Sequence, residues 1–243
     1  MFSSNTQSSS QPEFKSHAVA QSYNNKAASC IDDGRYEHAI RYLAKAFQLS
    51  SHSSDGTQSP PTNFGGHSLQ ACLRYSRSSF SSQDLEKQLS SDKKDSSEGF
   101  IHRVPLRIST HFIDMPMGSL FSFILTYNMA LAHHLSAMGE TKENQRRRKL
   151  QKALKLYELS YRWHVQEEMN CLAFSMIIAN NLSEIHRVAN NERKRQMCLQ
   201  NLLSTMMYVH MVDYNRGGEV GEMDGFVQNT SPLILKGQCA GAA

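Results

Sequence analysis

Nowhere does the sequence approach the roughly 18 consecutive apolar residues that a membrane-crossing helix needs, so no spanning segment is expected. The opening MFSSNTQSSSQPEF has no charged start followed by an apolar core and is not expected to be a secretory signal. It is Ser-rich but lacks Arg and any amphipathic pattern, which also argues against an organelle transit peptide. Cysteine is sparse: Cys30, Cys72, Cys171, Cys198 and Cys239 are odd in number, far apart and never in a CxxC pair. That spacing fits neither a disulfide framework nor a zinc knuckle, and reads as thiols in a reducing compartment, cytoplasmic or nuclear.

Catalytic signatures are missing too. Without GxxxxGK[ST], GxGxxG or GxSxG there is no phosphate cradle or nucleophile elbow to build on. His133 and His134 precede a core Leu, and His102 and His111 lie near Asp114, but HExxH and paired ExxH motifs are absent. No metal site or other cofactor is therefore expected. HVQEE at 164–168 sets carboxylates beside a His with no nucleophile in view, so the chain is read as non-enzymatic. Positive charge is also modest. A net charge of +4 falls short of what a dedicated nucleic-acid binder uses to neutralise a phosphate track.

What the sequence does contain is helical periodicity interrupted by polar stretches. The hydrophobic share is 40%, yet mean hydropathy is only −0.50, so polar residues must be concentrated in particular segments. Residues 1–13 lack periodicity and are expected to be disordered. Between 14 and 50, Phe14, Ala18, Tyr23, Ala27 and Cys30 mark one helix face, and Tyr36, Ala39, Ile40, Leu43 and Phe47 mark a second. Gly34, in DDG, supplies the left-handed residue that closes the first helix. Residues 51–99 are rich in Ser, Gly, Pro, Asp and Lys, too poor in apolar side chains to offset the entropy of ordering, and are expected to be a disordered insertion. Only SSQDLEKQLS within it suits a short helix.

The next segment, 100–117, changes character. FIHRVPLRI alternates bulky and basic residues around Pro105 and is expected to be extended, as an edge strand or as an arm laid along a groove. From 118 to 213 the periodicity returns in four helices, expected to form two further hairpins that pack with the first. Gly217, Gly218, Gly221 and Gly225 open residues 214–243, expected to be a flexible C-terminal tail in which SPLILK could dock as a short strand.

Small residues recur at the packing positions. YNNKAASCIDDGRYEHAIRYLAKAFQL carries Ala27, Gly34, Tyr36, Ala39, Leu43 and Ala46; TYNMALAHHLSAMG with KALKLYELS repeats the theme with Ala130, Ala153, Tyr157 and Ser160; a third copy centres on Leu182 and Ser183. This pattern resembles the tetratricopeptide repeat over roughly half the chain. It departs from that family in lacking the proline after Leu49 and Ser160. Ala130 and Ala153 are also 23 residues apart, where Ala27 and Ala39 are 12 apart. Eleven added residues make about three helical turns, so longer helices keep the same buried face. The succession of hairpin, Ser-rich gap, PLRI segment and YNMALAHHLSA also resembles repeat-like proteins of microalgae, a resemblance that brings no activity with it. The fold class implied is all-α, with antiparallel helix hairpins stacked into a short solenoid.

In tetratricopeptide folds the first helices line a concave groove for an extended peptide or helix. By that register the groove would present Asn24, Asn25, Tyr127, Asn128, His134, Asn180, Asn181, Glu184 and Arg187. Asn25, Asn128 and Asn181 recur at equivalent places, and an amide can hold a ligand backbone through both its donor and its acceptor. The same amides could instead bond neighbouring helices. The subtype that grips acidic chaperone tails is not expected, since Asn24 and Ala28 stand where it needs Lys and Asn. The expected partner is a peptide or helix segment of another protein, bound by a non-enzymatic adaptor or scaffold. The alternative is a nucleic-acid-associated repeat protein using the basic faces at 145–152 and 193–195, although these also suit solvated helix faces. Occupation of the groove by residues 100–113 of the chain itself would weaken the adaptor reading.

Overall fold

The computed structural model describes residues 11–52, 69, 71–73, 75–76, 99–112, 117–168, 171–216 and 223–240. Among these, every regular element is helical. Helix α1 (Gln11–Asp32) leads into α2 (Tyr36–His52), α3 (Gly118–Met138) into α4 (Glu143–Gln166), α5 (Leu172–Val188) into α6 (Glu192–Arg216), and α7 (Asp224–Ala240) follows. Each of the three pairs packs along its length, and α2 lies against α3, α4 against α5, and α6 against α7. Helices α1 and α3 also touch, as do α5 and α7. Because the linkers within the pairs are three or four residues long, the paired helices must run antiparallel.

Two of these turns share one device. After α1, Gly34 takes φ 72°, Arg35 N–H donates to Cys30 O at 2.7 Å, and Gly34 N–H donates to Ile31 O at 3.0 Å. After α5, Asn190 takes φ 53°, Asn191 N–H donates to His186 O at 2.9 Å, and Asn190 N–H donates to Arg187 O at 3.1 Å. Both are Schellman closures, with a left-handed residue satisfying the helix's last carbonyls.

The expected packing alanines are in place: Ala27, Ala39, Ala46, Ala130 and Ala153 have no exposed surface. The 11 residues added between Ala130 and Ala153 are almost all helical. Helix α3 runs on to Met138, α4 starts at Glu143, and the turn grows by one residue. Between α3, α4 and α5 lies an aromatic cluster, with Phe123 and Phe174 edge to face at 4.4 Å and Tyr127 meeting Phe174 at 5.3 Å. Such pairs add about 0.5–1.5 kcal/mol each beyond their buried area.

Three boundaries differ from expectation. The proposed tail contains α7, whose Pro232 lacks the N–H that would reach Gln228 O; Ser231 Oγ donates to that carbonyl instead, at 2.9 Å. Within the Ser-rich insertion, Leu69, Cys72, Leu73 and Ser76 are helical and buried, because four inward side chains suffice when a preformed surface receives them. Helix α1 begins at Gln11, ahead of the expected start at 14. Residues 1–10, SSQDLEKQLS and Gly217, Gly218 and Gly221 lie outside the described residues.

Candidate functional site

Residues 99–109 run extended across the first helices of the three pairs and onto α7. They form a strap whose direction opposes the helix order, and its backbone is held by asparagine amides. On α1, Asn25 Nδ2 donates to Ile108 O at 2.7 Å and Asn25 Oδ1 accepts from Ile108 N–H at 2.9 Å. On α3, Asn128 does the same for Leu106, with both bonds at 2.7 Å. On α5, Asn181 holds His102 at 2.9 and 3.0 Å. On α7, Asn229 holds Phe100 at 2.9 and 2.8 Å.

The pattern follows from strand geometry. In an extended chain, the N–H and C=O of one residue point to the same edge, and those of the next residue to the other. Phe100, His102, Leu106 and Ile108 therefore face the asparagines, and odd-numbered residues face away. Pro105, which has no N–H, falls on the far edge, where its absence takes nothing from the ladder. On that edge Arg107 N–H donates to Ser76 Oγ at 2.8 Å, and Ser76 donates in turn to Cys72 O, so buried Ser76 meets the strap on its far edge. At Val104, midway between Asn128 and Asn181, the Tyr127 hydroxyl donates to the carbonyl at 3.3 Å.

A second tier of amides braces the first. Asn24 Nδ2 donates to Leu106 O at 3.1 Å, and its Oδ1 accepts from Asn128 Nδ2 at 2.8 Å. Asn180 Nδ2 donates to Phe100 O at 2.9 Å, and its Oδ1 accepts from Asn229 Nδ2 at 2.7 Å. The two uses of an amide left open by the sequence therefore coexist, with the strap and the neighbouring helices bonded at once. Asn181 also donates to the Tyr157 hydroxyl at 3.1 Å. Burial pushes the Tyr127 and Tyr157 phenols well above the usual range, so both stay protonated.

The remaining candidates stand around this ladder. Glu184 is 2% exposed, and its carboxylate accepts from Arg187 Nε at 2.7 Å. A side chain at Gly99 would run into that carboxylate, and one at Gly225 would meet the ring of Phe100. Gly225 is thus a close-approach residue that lets α7 reach the strap. His134 is fully buried against the Tyr157 ring, and neither of its nitrogens is hydrogen-bonded among the described residues. Burial first, and the Arg103 charge second, push its pKa down to about 3, so it is neutral.

At the other end of the strap Arg107 pairs with Asp32. The basic faces are partly committed elsewhere: Lys149 bonds Glu140 at 3.1 Å and lies 3.4 Å from Glu37, and Arg195 pairs with Glu192. Among the described residues no group of His, Cys, Asp and Glu is arranged to hold a metal, and no helix is long and apolar enough to cross a membrane.

Asn24, Asn25, Tyr127, Asn128, Asn180 and Asn181 thus converge on one segment, while Glu184, Arg187 and His134 line its surroundings. Sequence reasoning missed Asn229 and Ser76, which sit in stretches read as tail and insertion. The only signal for Asn229 was another Asn within an interrupted apolar stretch. Compared with protein-family models, with curated proteins and with solved structures, the chain finds no match.

Proposed function

We propose that this chain is a non-enzymatic protein-interaction scaffold of tetratricopeptide-like hairpins whose groove takes an extended segment by its backbone. One observation carries the reading: four asparagines, on α1, α3, α5 and α7, each exchange two hydrogen bonds with a single strap residue. Paired amide bonds to a main chain read conformation rather than side-chain identity, as in strand addition. The resident strap weakens the adaptor reading, because residues of the chain itself already fill the groove. An intramolecular occupant acts at an effective concentration of order millimolar, so a partner enters this groove by displacing the strap.

Two features support this over a nucleic-acid role. Between its charged ends the groove is walled by neutral amides and aromatics, and Lys149 and Arg195 in the basic faces are engaged by carboxylates. The test is a pull-down comparing the wild-type chain with Ile108→Pro, which removes the N–H held by Asn25. Proteins retained only by the loosened chain, released by a synthetic peptide of residues 98–109 and indifferent to moderate salt, are the expected result. Retention that collapses steeply with salt is the mark of phosphate binding and would contradict the proposal.

A further inference from the structure

The asparagine ladder is indifferent to side chains, so any selectivity must come from where the groove touches something other than main chain. Two such places mark its ends. At the α5–α7 end, Glu184 is buried and its carboxylate is fixed by Arg187 at 2.7 Å, and a Cβ on Gly99 would collide with it. A residue with a side chain fits there only if the Glu184 carboxylate shifts from its place beside Arg187. At the α1 end, Asp32 pairs with Arg107, whose side chain is only 13% exposed in the pair. A carboxylate in its place would set two negative charges side by side.

We infer that the groove selects its occupant by these two ends: the partner is an extended segment with a glycine seated against Glu184 and, eight residues later, an arginine seated against Asp32. The inference rests on the groove reading above and specifies its ligand. Between the ends, the segment requires free N–H groups at the positions of Phe100, His102, Leu106 and Ile108, and tolerates proline at that of Pro105. Polarity is also fixed, because the glycine end lies toward α7 and the arginine end toward α1. The strap meets all of these conditions, and a competing segment must meet them too.

The experiment titrates a fluorescent, acetylated peptide of residues 98–109 into the full chain carrying Ile108→Pro, following anisotropy. Binding is expected, and the wild-type chain should bind at least about tenfold more weakly, because its competent open state is a small fraction of the population. In the peptide, Gly99→Ala and Arg107→Glu should each weaken binding about tenfold or more. N-methylation at Leu106 should abolish binding. Should Ile108→Pro not fold, Arg107→Glu in the full chain, which sets two carboxylates together at the partly exposed end, loosens the strap more gently and takes its place. Equal binding of the parent, Gly99→Ala and Arg107→Glu peptides, with sensitivity to N-methylation at Leu106 retained, overturns the end-selection inference and leaves the groove reading standing. No binding by any peptide to a folded chain whose strap amides exchange freely overturns both.

Discussion

Asn128→Ala is the sharpest perturbation, because its consequences can be followed atom by atom. Asn128 is fully buried and makes three hydrogen bonds: it accepts from Leu106 N–H, and it donates to Leu106 O and to Asn24 Oδ1. Truncation leaves Leu106 O with Asn24 Nδ2 as a partner, but strips Leu106 N–H and Asn24 Oδ1. Each buried group left unpaired costs about 1–3 kcal/mol, so the variant should lose about 2–6 kcal/mol. That is a large part of the roughly 5–15 kcal/mol that keeps a domain folded.

Asn128→Asp tests the same geometry by charge. Its carboxylate still accepts from Leu106 N–H but faces two oxygens with no proton to offer, so its pKa in the fold must rise above the unfolded value near 3.9. Its penalty is therefore present at neutral pH and shrinks as the solution is acidified through the folded pKa, where the protonated acid regains a donor. Urea unfolding followed by far-ultraviolet circular dichroism measures both variants, with Asn201→Ala on the exposed face of α6 as a control expected within about 0.5 kcal/mol of wild type. If Asn128→Ala also fell within that margin at an unchanged urea slope, the strap would not depend on its asparagines.

Other consequences follow from the same contacts. Asn24→Ala and Asn128→Ala share a direct bond, which makes the combined loss smaller than the sum, and a common acceptor in Leu106 O, which only the double variant strips and which makes it larger; the two should therefore be non-additive, with a coupling of about 0.5–3 kcal/mol in a thermodynamic cycle. His134 is held neutral with a pKa near 3 against an ordinary 6.5. Its contribution to stability is complete above pH 6.5 and falls as the pH drops below it, at about 1.4 kcal/mol per pH unit. His17, His133, His164 and His186 are also lowered, chiefly by burial, and act in the same direction. Unfolding curves at pH 7 and pH 5 should therefore show marked acid destabilisation, and His134→Phe should reduce it by about 2 kcal/mol. Ala39→Leu or Ala153→Leu forces a larger side chain between fully packed helices and should cost about 1–3 kcal/mol or more, read as a drop in melting temperature. Unchanged melting would contradict the close-packed hairpins.

Much of this arrangement is written locally and therefore legible. Gly34 closes α1, the alanines at 27, 39, 130 and 153 permit close helices, and the recurrence of Asn25, Asn128 and Asn181 marks one face; each depends on neighbours within a few turns. Pro105 between bulky residues reads as an extended arm, and residues 99–109 form no helix, although Thr110–Phe112 make a short helical turn. What the sequence does not display is decided by partners far along the chain. Asn25 meets Ile108 across 83 residues, and Phe100 meets Asn229 across 129. Leu69, Cys72 and Leu73 are too few to suggest order among serines, and become buried because the strap and hairpins supply the other surface. Helix α7 was obscured by Pro232, whose helix-breaking effect is offset by a neighbouring hydroxyl, and by Gly225, which serves close approach rather than flexibility.

The central claim is that the groove holds an extended segment by alternate residues of its backbone, and residue-resolved amide hydrogen exchange tests it most directly. The account predicts slow exchange at Phe100, His102, Leu106 and Ile108, and faster exchange at Val104, which meets no asparagine among the described residues. Asn128→Ala should selectively release Leu106. Uniform rapid exchange along residues 99–109, or protection unaltered by loss of Asn128, would contradict it.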